Sequence, residues 1–156
     1  MPSFSGGNAS FTPSTTNDNW TLDFGVTGGT FGKVVSFAWG GSLTTSTGYR
    51  TRWTRPTAAG GGARTLLTLG AGQPNYPTPG GALVSTYGSS QPTLASDPAA
   101  NLFREDWNAQ GGGGYVALPP NSPWWVVSGV LNSAISCRNL VGTDANGSSY
   151  HVTWEE

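Results

Sequence analysis

His151 and Cys137 are the single histidine and single cysteine of the chain, so they bound the acid–base and nucleophilic chemistry open to it. A serine or cysteine nucleophile needs a neighbouring base, normally histidine, to take its proton. There is no G-x-S-x-G turn to present a serine, and a Cys137/His151 dyad would need two separate strands to align plus an acid to orient the ring. His151 alternates with Tyr150 and Val152, which reads as a structural or solvent-facing residue of a strand. Glycoside hydrolysis needs two facing carboxyl groups, but Glu105 and Asp106 are neighbours that a strand sends to opposite faces. The remaining acids, Asp18, Asp23, Asp97, Asp144, Glu155 and Glu156, are scattered. No cysteine pair, H-x-x-x-H or D-x-D-x-D loop suggests a metal, and the glycine-rich stretches lack the order of a phosphate-binding loop. Neither an enzyme nor a cofactor is expected.

Aromatic and basic residues are the better candidates. Trp124 and Trp125 are adjacent. If both lie in a strand, one fills the core and the other faces an interface, a sugar-stacking platform or water; an interface is the favoured reading. Arg50, Arg52 and Arg55 surround Trp53. The first two share a strand face and suit either a contact with a partner or a solvated face with cross-strand partners. The candidate interface residues are therefore Trp124, Trp125, Arg50, Arg52 and Trp53.

The elements that must position them are strands. Apolar alternation of period two runs through Asn19–Phe24, Lys33–Trp39, Tyr49–Arg55 and Tyr150–Glu155, with Val35, Phe37 and Trp39 on one face and Tyr49, Thr51 and Trp53 on another. Further strands are expected at Arg64–Leu69, Ala82–Tyr87, Leu102–Asn108, Gly114–Leu118, Trp124–Val130 and Ser133–Asn139. Turn chemistry rich in Gly and Pro separates them. Asp97-Pro98 predicts one helical turn, and residues 1–18 read as an extended N-terminal arm. The Gly/Pro-rich segment 70–81 has no assignable role. The expected fold is all-β with little or no helix: one domain over 1–156, a two-sheet antiparallel jelly roll or β-sandwich.

Composition narrows the class further. Seven Lys and Arg against eight acids make no basic stripe, so a nucleic-acid partner is not expected. No apolar run approaches the ~18 residues of a membrane helix. The opening Met1-Pro2-Ser3-Phe4-Ser5-Gly6 has neither a basic nor an apolar signal region, and a lone cysteine forms no intrachain disulfide. A protein that folds in the host cytoplasm and leaves by lysis, as a virion protein does, fits that combination.

The run Gly32-Lys33-Val34-Val35-Ser36-Phe37-Ala38-Trp39-Gly40-Gly41-Ser42, followed by Tyr49-Arg50-Thr51-Arg52-Trp53-Thr54-Arg55-Pro56, resembles small structural proteins of tailed bacteriophages. Gly114-Tyr115 through Leu118-Pro119-Pro120 and the final His151-Val152-Thr153-Trp154-Glu155-Glu156 resemble the closing strands of tumour-necrosis-factor-like jelly rolls. The resemblance implies a capsid decoration, or cement, protein: a homotrimer on the capsid outer surface at three-fold positions, binding the major capsid protein and carrying no catalytic residues. The alternative is a phage tail, fibre or carbohydrate-binding module that stacks exposed aromatic rings on sugars.

Overall fold

The computed structural model describes residues 3–11, 15–23, 31–58, 60–61, 64–66, 68–71, 83–87, 90–96, 101–122, 124–127, 133–141 and 148–156. The helical turn expected at Asp97-Pro98 and most of segment 70–81 lie outside them. The strands are β1 (Ser3–Phe11), β2 (Trp20–Asp23), β3 (Phe31–Gly41), β4 (Gly48–Thr54), β5 (Pro56–Ala58), β6 (Arg64–Leu66), β7 (Thr68–Ala71), β8 (Leu83–Tyr87), β9 (Thr93–Leu94), β10 (Asn101–Asn108), β11 (Gly113–Ala117), β12 (Trp124–Val127), β13 (Ile135–Val141) and β14 (Ser148–Glu155). Among the described residues no helix is long and apolar enough to cross a membrane.

Every strand pairing among the described residues is antiparallel. The first sheet runs β11-β3-β14-β1-β7, with β12 also on β3: β12 takes Phe31–Val34 and β11 takes Ser36–Gly40. The second runs β10-β4-β13-β2-β8-β6, and β5 and β9 form a small ribbon. Of the main strands, β1, β3, β11/β12 and β14 lie in one sheet and β2, β4, β10 and β13 in the other. The innermost orders, β1-β14-β3-β11 and β2-β13-β4-β10, are those of a jelly roll. The expected antiparallel two-sheet sandwich is therefore the fold.

The sheets meet over aromatic rings. Phe37 of β3 lies 4.1 Å from Trp53 of β4 and 5.0 Å from Trp124, centroid to centroid, and Phe4, Leu22, Ile135, Val152 and Trp154 fill the rest of the core. The interior also carries a polar network. Thr51 donates to Asn139 Oδ1 at 2.9 Å and shares a 2.8 Å hydrogen bond with the Tyr150 hydroxyl. Asn19 Nδ2 and Trp107 Nε1 reach Asn139 Oδ1 and Thr51 Oγ1 at 3.1 Å each. Each of these groups meets a partner inside, which is what makes a polar core tolerable.

Two expectations need correction, those for Arg64–Leu69 and for β3. Residues 3–11, expected as part of an extended N-terminal arm, form β1, an interior strand paired with β14 on one side and β7 on the other. Its run of small residues lacks apolar alternation, yet Gly7 lies so close to the Tyr150 carbonyl that a Cβ there would collide with it. Arg64–Leu69, expected as one strand, is divided between β6 in the second sheet and β7 in the first. In β3 the strict alternation fails: the register against β14 slips between Thr153↔Ser36 and Trp154↔Val34. Val34, not Val35, therefore joins Phe37 in the core, Val34 being 1% exposed. A β-bulge inserts one extra residue and so reverses the inward–outward parity of the strand beyond it.

Candidate interaction surface

The two adjacent tryptophans part at β12. Trp124, opposite Val34, turns inward and stacks on Phe37. Trp125, opposite Lys33, turns outward and is 43% exposed. The pleat carries neighbouring residues along with it. Val127 pairs with Phe31 on the same outer face, and the Phe31 and Trp125 rings lie 5.8 Å apart. Tyr115 of β11, opposite Ala38, is exposed on that face too. Of the five large hydrophobic residues exposed among the described residues, Phe31, Tyr115, Trp125, Val127 and Val141, the first four thus share one face of one sheet, along its β11/β12 edge.

The register fixes the rest of that face. One row reads Tyr115, Ala38, His151, Gly7; the next reads Ala117, Ser36, Thr153, Ser5. Mostly small side chains make it a low floor beside an aromatic ridge. Its charges cancel locally, because Lys33 Nζ and Glu155 Oε2 pair at 2.9 Å. Five strands about 4.8 Å apart, β7 included, and eight residues of about 3.4 Å give it an area on the order of 650 Å². That is close to the ~800 Å² each partner contributes to a stable interface.

Two of the five candidate residues sit elsewhere than an interface requires, and a third is covered. Trp53 is fully buried, its Nε1 donating to Glu105 Oε1 at 3.0 Å, because position 53 falls on the inward parity of β4. Trp124 belongs to the core by the same parity argument. Arg50 and Arg52 do share the outer face of the second sheet, but Arg52 is 8% exposed and donates to the Ala95 carbonyl at 2.8 Å. The segment around β9 lies over it, anchored also by Arg138 Nη2 to the Pro92 carbonyl and by the Asp18 amide to Gln91 Oε1. Arg50 remains at the surface, with Nε 2.6 Å from Asp106 Oδ1, and its guanidinium holds the Asp106 carboxyl below its usual range. Trp125 is the candidate that stands exposed with apolar companions.

The catalytic combinations conceivable from the sequence do not assemble. His151 is exposed on the outer face of the first sheet, whereas Cys137 is buried in the interior on β13. Glu105 points in and Asp106 out. Among the described residues no group of three His, Cys, Asp or Glu could hold a metal ion. Sequence reasoning missed Phe31, Val127 and Tyr115 as members of the patch. Phe31 was within reach, since it lies two residues before Lys33 on the same strand face. The chain matches no protein-family description, no curated protein and no solved structure.

Proposed function

We propose that this chain is a non-enzymatic structural protein of a phage virion, a decoration protein that forms a homotrimer and fastens capsid subunits together from outside. The jelly-roll strand order supports the reading, as does the phage-like character of the β3 and β4 sequences. The observation that carries it is the outward Trp125 with Phe31, Val127 and Tyr115 on one neutral sheet face. Exposed apolar patches of this kind mark interaction sites. The face holds both an aromatic ridge and a small-residue floor, so one copy supplies what the next copy lacks. Such ridge-on-floor contacts are heterologous, and closing them into a ring gives cyclic symmetry. A closed trimer then presents three copies of every capsid-binding surface, and avidity multiplies contacts that are individually modest. The surface ion pair Arg50–Asp106 lies on the opposite sheet and is available to the capsid protein.

The test has two arms. Light scattering behind a sizing column should give three times the 16.1 kDa chain mass, and the purified protein should co-sediment with capsid shells that lack it. A monomer at high concentration, or failure to bind shells, would count against the proposal. The tilted Phe31/Trp125 pair also favours a second reading, a sugar-stacking platform. Saturation-transfer signals from capsular polysaccharide onto Trp125 would support that one instead.

A further inference from the structure

Glu105 is an acid where the strand pattern calls for an apolar residue. On β10 it alternates with Phe103 and Trp107, which pack towards the core, and it is 9% exposed. Oε1 accepts the Trp53 Nε1 hydrogen at 3.0 Å, while Oε2 is buried without a hydrogen-bond partner. From β3, the indole Nε1 of Trp39 is likewise buried with no partner. The other titratable groups facing Glu105 come from β13 and β14. They are the Cys137 thiol and the Tyr150 hydroxyl, both pushed well up by burial and so neutral at ordinary pH. On its own strand Asp106 points outward and adds repulsion, and Arg104 is exposed. Nothing among these groups offers Glu105 a compensating positive charge.

Its strand is the one least able to hold it once charged. β10 is an edge strand, hydrogen-bonded only to β4 among the described residues, whereas β4, β13 and β14 are each paired on both flanks. An ionised carboxylate held by one indole donor, with its second oxygen unpartnered and no positive charge facing it, is costly in an aromatic interior. The least costly way to hydrate it is to lift β10 away from the inner layer, not to open the whole sandwich. We infer that Glu105 is the catch of an alkali-sensitive clasp: protonated, it is held inside by Trp53, and when its proton passes to solvent β10 separates from the core. The released state exposes Phe103 and Trp107 at the rim of the second sheet while the first sheet, with the Trp125 face, stays folded.

The experiment follows the full chain from pH 6 to 10 by two readouts. Infrared spectroscopy should show the band of a protonated carboxylic acid at pH 7 that disappears with a midpoint near 8, where burial places the Glu105 carboxyl. Amide hydrogen exchange, corrected for its intrinsic pH dependence, should show protection on β10 falling at least tenfold over the same range while β14 keeps its protection. Glu105→Gln keeps a neutral group that can still accept from Trp53, and it should abolish both changes. The inference is overturned if no protonated carboxyl is present at pH 7, if β10 and β14 lose protection together, or if Glu105→Gln shows the same transition as the wild type. The infrared readout needs no variant, so a substitution that fails to fold leaves the test intact.

Discussion

Replacing Trp125 by serine should dissociate the proposed trimer and leave the fold of each subunit unchanged. A tryptophan side chain carries on the order of 250 Å² of surface, of which 43% is exposed in one subunit, leaving about 100 Å² for a partner to cover. At about 25 cal/mol per Å² that area is worth roughly 2.5 kcal/mol, and three such rings in a closed trimer total about 7.5 kcal/mol. This corresponds to about five and a half decades in a dissociation constant expressed in molar squared. Because that constant scales with the square of concentration, the midpoint concentration for assembly should rise roughly 500-fold. Sedimentation velocity over a dilution series measures it directly. The neighbouring substitution Trp124→Ala supplies the contrast. It removes a ring stacked on Phe37 inside the sandwich, so it should lower the unfolding free energy by about 3–5 kcal/mol, whereas Trp125→Ser should shift it by under about 1 kcal/mol. Assembly of Trp125→Ser within threefold of the wild-type concentration, or equal destabilisation of folding by the two substitutions, would overturn this prediction.

Other consequences are simpler to check. Gly114 lies opposite Trp39, whose ring would come within 2.5 Å of any added Cβ; Gly114→Ala should cost about 1–3 kcal/mol in urea unfolding through overpacking. Stability should also depend on pH through Glu105. Below its ordinary value of 4.5 both states are protonated; between there and about 8 only the unfolded chain ionises. Stability should therefore fall with rising pH by up to ~1.4 kcal/mol per unit across that window and level off above it, and Glu105→Gln should flatten the slope. Cys137 is fully buried and its thiol is pushed well up by desolvation, so a thiol reagent should label it only at the rate of unfolding; rapid native labelling would contradict its place in the core.

The sheets were legible where apolar residues alternate. Each of the ten strand segments expected from the sequence overlaps an observed strand among the described residues, Arg64–Leu69 being split between two, because burial of one face leaves a period-two record. What escaped had no such record. β1 is built from Ser, Gly, Asn and Ala around Phe4 and is held by its ladder and by the close approach of Gly7, neither of which depends on apolar side chains. The bulge in β3 is invisible because Val34 and Val35 are equally apolar, and only the register against β14 decides between them. At the candidate surface, parity alone separates Trp124 from Trp125 but does not say which of them is inside. That choice depends on the pairing of β12 with β3. The burial of Arg52 arises from residues 90–96 folding over β4, a long-range contact that no local pattern encodes. The inward position of Glu105 was readable, since Phe103 and Trp107 flank it two residues away on either side. Its burial against Trp53 was not, because that contact depends on the pairing of β10 with β4.

If the chain cements a capsid as proposed, its effect should be read in the temperature at which DNA-filled particles rupture. Particles assembled without the protein should form with normal geometry and rupture at a lower temperature than complete ones. Adding the wild-type protein should restore the difference, because a ligand that binds only the assembled shell stabilises that state alone. Trp125→Ser, folded but monomeric, should fail to restore it at the same concentration. Equal rupture temperatures with and without the protein, or full restoration by a Trp125→Ser monomer, would contradict the account.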